Sequence, residues 1–118
     1  MRCLIVDDSA AFRTAASNML RRAGIDVVAM VSTSAEALTC THDLHPDVIL
    51  VDIDLGPESG FDVAEALHRA GPPAPSVILI STHSEQDFAD LIADSPALGF
   101  LPKFALSPES IRRLVRHF

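Results

Sequence analysis

The chain has 118 residues, of which 48% are hydrophobic, and a formal net charge of −7. This length suits one globular domain, which buries roughly two thirds of its unfolded surface and needs neither disulfides nor a structural metal. The acidic balance argues against a nucleic-acid module, because such modules bind phosphates through clustered Lys and Arg.

Cysteine usage and hydropathy indicate a cytoplasmic protein. Cys3 and Cys40 are too few for a disulfide framework and fit a reducing compartment. The first apolar run, residues 3–6, stops at Asp7 and is far shorter than the roughly 7 to 15 apolar residues of a secretory signal. No run approaches the roughly 18 apolar residues of a membrane span. We therefore expect no membrane segment.

Five short apolar runs, rich in Val and Ile, predict five β-strands. They cover residues 3–6, 27–31, 48–51, 77–80 and 98–101. Helical patterns separate them, and this alternation is typical of βαβ units with a parallel sheet. The runs are continuously apolar, which indicates strands covered by helices on both faces.

The first two predicted helices have clear ends. The first carries one apolar stripe at helical spacing, formed by Phe12, Ala15, Ala16, Met19, Leu20 and Ala23. Gly24 ends that helix by supplying a left-handed residue. The second helix begins at Thr33, which forms a capping-box pattern with Glu36, and it ends before Pro46.

Three more helices follow along the chain. The third begins after Gly60 and ends at Gly71, Pro72 and Pro73. The fourth contains the apolar residues Phe88, Leu91 and Ile92 and is closed by Ser95 and Pro96. The fifth opens with Ser107 as N-cap and Pro108 as its first residue, and its apolar face is Ile111, Leu114, Val115 and Phe118.

Polar residues follow four of the five predicted strands. They are Asp7, Asp8, Asp52, Ser81 and Lys103. In an open parallel sheet, ligands bind beyond the carboxyl ends of the strands. We therefore expect three carboxylates, one hydroxyl and one ammonium to converge on a single edge of the sheet.

This set of groups suits phosphoryl transfer. Three neighbouring carboxylates repel one another, and a hard divalent cation such as Mg²⁺ relieves the repulsion while it shares a phosphate oxygen. A carboxylate beside that ion can attack phosphorus in line, since phosphoryl transfer needs mostly positioning and charge neutralisation. Lys103 would pair with one phosphoryl oxygen, and Ser81 would hydrogen-bond another.

At these positions the whole chain resembles the receiver domains of two-component response regulators. The matching segments are Leu-Ile-Val-Asp7-Asp8-Ser9, Val-Asp52-Ile-Asp54-Leu-Gly56, Ile-Ser81-Thr82-His83 and Gly99-Phe100-Leu101-Pro102-Lys103. We predict one receiver domain over residues 1–118. Its fold is a doubly wound five-stranded parallel sheet of the flavodoxin-like (βα)5 type, with strand order 2-1-3-4-5.

The resemblance implies that Asp52 accepts a phosphoryl group from a histidine kinase. It implies that Asp8, Asp52 and the backbone carbonyl of Asp54 ligate Mg²⁺, with Asp7 acting through water. The domain would catalyse only its own phosphorylation and dephosphorylation, so we do not expect an ordinary enzyme.

The resemblance also implies a conformational switch. Ser81 would swing toward the phosphoryl group, and Phe100 would turn inward behind it. The surface of the fourth helix, fifth strand and fifth helix would then change and present itself to a downstream effector. This surface also suits a homodimer, in which two charged sets would meet: Arg112, Arg113 and Arg116 opposite Asp87, Asp90 and Asp94.

Each signal taken alone has a simpler structural interpretation. An Asp pair after a strand is often a helix cap and turn, Ser81 suits a turn, and Phe100 suits the core. Two other functions also stay open. One is a small Mg²⁺-dependent phosphohydrolase with Asp52 as nucleophile, although no insertion is present to hold a substrate. The other is an interaction module that works without phosphorylation.

Three positions depart from the common receiver pattern. Gly56 stands where Pro is usual, which loosens the loop after Asp52, and Phe104 rather than Pro follows Lys103. His83, together with Asp54, would border the path of the hydrolytic water. The lifetime of the phosphoryl group therefore stays open.

Overall fold

The central feature of the molecule is a parallel sheet. A computed structural model describes residues 1–72 and 74–116. Its five strands are β1 (Arg2–Val6), β2 (Asp26–Val31), β3 (Val48–Asp52), β4 (Ser76–Ser81) and β5 (Gly99–Pro102). All pairings are parallel, and the order is β2-β1-β3-β4-β5. The predicted fold is therefore confirmed.

Helices cover both faces of this sheet. They are α1 (Ala10–Arg22), α2 (Ser34–Leu44), α3 (Gly60–Arg69), α4 (Ala89–Asp94) and α5 (Pro108–Arg116). A 3-10 turn (Glu85–Phe88) precedes α4, and a second one (Lys103–Ala105) follows β5. One core cluster joins the sheet to α2, α3 and α4, and the other joins it to α1 and α5.

The sequence of the middle strand, β3, is apolar from Val48 to Val51 because the strand is buried on both faces. All five of its residues are buried, because β1 and β4 pair with it on either side and helices cover both faces. Ile49 and Val51 point into one core cluster, whereas Val48 and Leu50 point into the other. A strand buried on both faces has no position for a solvated side chain.

Three predicted helix ends occur where the sequence places them, whereas α3 begins at Gly60 itself and Phe88 lies in the 3-10 turn before α4 rather than in α4. Gly24 has φ of 82°, the left-handed conformation that ends α1. The Thr33 hydroxyl accepts a hydrogen bond from the Glu36 N–H at 3.2 Å at the start of α2. The Ser107 hydroxyl accepts one from the Ser110 N–H at 3.0 Å at the start of α5. Pro73 and Phe118 lie outside the described residues.

Two predicted core positions are wrong. Ala15 is exposed, and Ser17 is buried in its place on α1. Leu91 is 54% exposed, because α4 has only six residues and none of them is fully buried. Within the described part of the chain, we find no helix long and apolar enough to cross a membrane.

A short hairpin after β3 is absent from the sequence prediction. Its two strands, Asp54–Leu55 and Glu58–Ser59, pair antiparallel and enclose Gly56, which has φ of 71°. Glu58 reaches across to α2, where its Oε1 accepts a hydrogen bond from the Ser34 N–H at 3.0 Å. The segment after Asp52 is therefore tied to the first turn of a neighbouring helix.

Candidate functional site

The carboxyl edge of the sheet brings the predicted acidic residues together. One carboxylate oxygen each from Asp7, Asp8 and Asp52 lies within 4.8 Å of the other two. Asp52 is the last residue of β3, and the acidic pair follows β1 directly. Asp7 and Asp52 are buried, whereas Asp8 is exposed. The acids therefore form one cluster that opens to solvent on the Asp8 side.

Lys103 supplies a positive charge to this cluster. Its Nζ lies 2.8 Å from Asp7 Oδ2 and 3.1 Å from Asp52 Oδ2. Burial by itself lowers the Lys103 pKa, but the hydrogen bonds that the ammonium donates to these two carboxylates, together with their negative charges, outweigh that effect and raise it. The Lys103 side chain therefore stays protonated at neutral pH.

The Asp52 carboxyl is in an environment that disfavours its charged form. Burial raises its pKa, and the negative charge of Asp7 adds to the effect. The hydrogen bond from the Asp54 N–H at 3.0 Å and the ion pair with Lys103 act in the opposite direction. One ammonium against three carboxylates leaves excess negative charge in the cluster.

The donor atoms present fit a hard divalent cation. Asp7 Oδ2 is buried, and among the described residues its one polar partner is the Lys103 ammonium at 2.8 Å. All ligands that the cluster offers are oxygen atoms, and Asp8 is reachable from solvent. Mg²⁺ favours such a set, because it keeps several of its own waters and needs few protein carboxylates.

Backbone contacts hold Asp7 in place. Its Oδ1 accepts a hydrogen bond from the Ser9 N–H at 2.8 Å, and Arg13 donates to its backbone carbonyl at 2.6 Å. Ser9 in turn caps α1. The role of Arg13 has no signal in the sequence, because helical periodicity does not reveal that an arginine reaches back to the preceding loop.

Gly60 lets α3 begin directly against the backbone of Asp52. Its N–H donates to the Ile53 carbonyl at 3.0 Å. A Cβ placed on Gly60 would lie 2.2 Å from the Asp52 carbonyl oxygen and 2.6 Å from the Ile53 Cα. The sequence marks this residue only as a helix start, because the close approach depends on tertiary packing.

The two residues predicted to switch lie in or beside the core. Ser81 is buried at the end of β4, and its hydroxyl accepts a hydrogen bond from the His83 N–H at 3.0 Å. The Phe100 ring is only 7% exposed and belongs to the core cluster under α2 and α3. The inward position that the resemblance assigns to this ring after phosphorylation is thus already occupied in the described conformation.

The charged residues predicted to meet in a dimer have unequal surroundings. Asp87, Asp90 and Asp94 are exposed. Arg112 is partly buried and donates to the Ala23 carbonyl at 2.9 Å, so it joins α5 to the end of α1 within one chain. Arg113 and Arg116 are exposed.

Comparison with known proteins assigns the family. The sequence profile of the response regulator receiver domain matches residues 3–116. The chain therefore belongs to the response regulator receiver domain family. Its fold agrees with the signal receiver domain of NarL from Mycobacterium tuberculosis, with a TM-score of 0.87, 27% identity and coverage of 99% of this chain and 97% of that one.

Two curated relatives are longer proteins. The chain is 31% identical over 102 residues to a protein-glutamate methylesterase/protein-glutamine glutaminase of Halobacterium salinarum, covering 86% of this chain and 28% of that protein. It is 27% identical over 103 residues to the DNA-binding transcriptional activator EvgA of Escherichia coli, covering 87% and 50%. The chain thus spans between about a quarter and half of the length of these relatives.

Substitution of Gly60 should disturb the end of β3 far more than substitution of Gly99. In Gly60→Ala the new methyl group meets the Asp52 and Ile53 backbone, so we expect a loss of about 3 kcal/mol or more in the free energy of unfolding. In Gly99→Ala it meets only the end of the Leu114 side chain, at 3.0 Å, so the loss should stay below about 1 kcal/mol. Urea unfolding of both variants measures the difference, and equal losses would contradict the backbone clash.

Neutralising Asp52 should stabilise the metal-free chain. In Asp52→Asn the repulsion from Asp7 and the burial of charge are removed, so in EDTA we expect a gain of roughly 1 kcal/mol in the free energy of unfolding. Excess Mg²⁺ should stabilise the wild type more than the variant. Urea unfolding with and without Mg²⁺ tests both points, with the exposed Asp62→Asn as control. A destabilised Asp52→Asn chain in EDTA would contradict the charge argument.

Proposed function

We propose that this domain is a phosphorylation-controlled signalling switch in which Asp52 accepts a phosphoryl group from a histidine kinase. The observation that carries the proposal is the pairing of the buried Asp52 carboxylate with an ammonium at 3.1 Å, beside two further acids. Two additional negative charges raise the free-energy cost of burying a carboxylate. They are therefore not expected beside a carboxylate whose only role is to stabilise the fold. Transfer of a phosphoryl group, by contrast, uses both a carboxylate and nearby cations.

Each residue of the cluster has a separate role in the phosphoryl transfer. Asp8, Asp52 and the carbonyl of Asp54 would hold Mg²⁺ directly and Asp7 would hold it through water, and the ion when bound would neutralise charge on the phosphoryl oxygens. An Asp52 carboxylate oxygen attacks phosphorus, and the phosphorus–nitrogen bond of the kinase phosphohistidine breaks with its electron pair returning to the imidazole. Lys103 then pairs with an oxygen of the new aspartyl phosphate.

The response to phosphorylation would pass through Ser81. Its hydroxyl now accepts from the His83 N–H, and it would turn to donate to a phosphoryl oxygen instead. That change moves the segment between β4 and α4. The short α4 has no fully buried residue, so little core packing opposes its displacement.

The surface formed by α4, β5 and α5 would carry the output. We propose that a downstream effector, in the same chain or in another protein, binds it when Ser81 changes position, while Phe100 keeps the inward position that it already has. A homodimer through this surface would pair Arg113 and Arg116 with Asp87, Asp90 and Asp94 of a second copy. Arg112 contributes less, because its guanidinium is already bound to Ala23.

The chain would act as a substrate and a relay rather than as an enzyme with an external substrate. Its turnover is confined to its own aspartyl phosphate. Both cysteines are free thiols, which fits the proposed cytoplasmic location.

Phosphorylation by a small donor tests the proposal directly. Incubation with acetyl phosphate and Mg²⁺ should add one phosphoryl group to the wild type and to the exposed control Asp62→Asn, and none to Asp52→Asn. Intact mass measures the adduct, which should be base-labile as an acyl phosphate. An adduct that persists in Asp52→Asn would falsify the assignment of the acceptor, and no adduct in the wild type would overturn the function.

Loss of the Lys103 ammonium should separate phosphorylation from its response. Lys103→Ala should keep some phosphorylation, because Asp52 and the metal ligands remain, but it should lose the change in amide exchange at α4. Hydrogen exchange with and without acetyl phosphate measures that change, and Arg69→Ala, on the exposed end of α3, is the control. Unaltered exchange differences at α4 in Lys103→Ala would contradict the role of the ammonium.

A further inference from the structure

The Phe12 ring lies against the ammonium of the candidate site. Lys103 Nζ is 4.2 Å from the ring centroid. We propose that Phe12 is a positioning residue, whose π face holds the Lys103 ammonium beside Asp52 so that its charge is in place before a phosphoryl group arrives. This inference rests on the proposed function.

The ammonium is surrounded by three protein groups. Two of them are the carboxylates of Asp7 and Asp52, at 2.8 and 3.1 Å, and the third is the Phe12 ring. A lysine ammonium has three N–H donors, and two carboxylates do not use all of them. The electron-rich face of an aromatic ring attracts the remaining positive charge, and it does so more strongly where water is excluded.

The ring itself is firmly placed. Phe12 lies in the first turn of α1, where its N–H donates to the Ser9 hydroxyl at 3.2 Å. Ser9 is in turn fixed to Asp7 by a hydrogen bond of 2.8 Å. The side chain packs against the core cluster under α1 and α5. The helix that follows the acidic pair thus brings an aromatic face to a lysine 91 positions later in the chain.

An aliphatic residue at this position would exclude water equally well but would not attract the charge. Ordering the long, flexible Lys103 side chain costs conformational entropy. Each fixed partner therefore lowers the entropy that is still to be lost when the ammonium binds a phosphoryl oxygen. Apolar packing alone would make Leu an adequate replacement for Phe12. If the ring instead attracts the ammonium through its π face, Leu cannot replace Phe12.

The position of the ammonium can be observed without phosphorylation. Lys103 is the only lysine of the sequence, so lysine-selective isotope labelling gives the signal of one side chain. We expect the ring current of Phe12 to shift its ε-methylene protons upfield from those of an exposed lysine. Phe12→Leu should abolish this shift, and Phe12→Tyr should keep it. The control Phe61→Leu, on the opposite core cluster, should leave it unchanged. An ordinary lysine shift in the folded wild type would overturn the inference.

The consequence for the reaction is tested by a double-mutant cycle on the rate of phosphorylation by acetyl phosphate. Phe12→Leu should slow the reaction about 3- to 10-fold, the size expected of a partly desolvated cation–π pair. The same substitution in a Lys103→Met background should have no further effect, because the cation is gone. A purely structural role of the ring predicts equal slowing in both backgrounds, and that result would overturn the inference.

A fluorinated phenylalanine at position 12 tests the same inference if the Phe12→Leu variant does not fold properly. 3,4,5-Trifluorophenylalanine keeps the shape of the ring but removes most of the negative charge from its face. It should slow phosphorylation as Phe12→Leu does, and a rate equal to the wild type would contradict the proposal. A wild type that is not phosphorylated at all would instead contradict the proposed function, and the lysine signal would still report on the ring.

Discussion

The two ion pairs of Lys103 are the interaction on which the rest of the site depends. The lysine follows β5, and its partners Asp7 and Asp52 lie at the ends of β1 and β3, the latter 51 positions away. Without that charge, two buried carboxylates would face each other in a poorly solvated place, at a cost of several kcal/mol. One side chain therefore offsets part of the repulsion between the carboxylates at this edge of the sheet.

The same interaction leaves an excess of negative charge at the candidate site. One ammonium cannot balance three carboxylates. The pKa of Asp52 is raised mainly by burial, and the negative charge of Asp7 adds to this effect. A bound cation would relieve that excess negative charge, whereas phosphorylation of Asp52 would add to it. The neighbouring contacts of Ser9, Arg13 and Gly60 keep the acids from moving apart to relieve it.

Much of this arrangement could be predicted from the sequence, and the reason is topological. In a parallel sheet the carboxyl ends of all strands share one edge, so the residues after each apolar run were expected to meet, as Asp7, Asp52 and Lys103 do. What local patterns do not encode is contact between side chains that are far apart in sequence. The Phe12 ring over Lys103, the approach of Gly60 to the Asp52 backbone and the exposure of Leu91 all depend on how helices are placed on the sheet.

The Glu58 contact with α2 links the site to a part of the molecule away from α4. The first N–H groups of a helix have no partner within the helix, and here the loop that follows the proposed acceptor supplies one of them. The hairpin is also fixed to Asp52 through the Asp54 N–H. Displacement of this loop would therefore remove the partner of the Ser34 N–H, while the Thr33 cap of α2 would remain. The candidate site is therefore in contact with two separate regions of the surface, the segment between β4 and α4 through Ser81 and the first turn of α2 through Glu58.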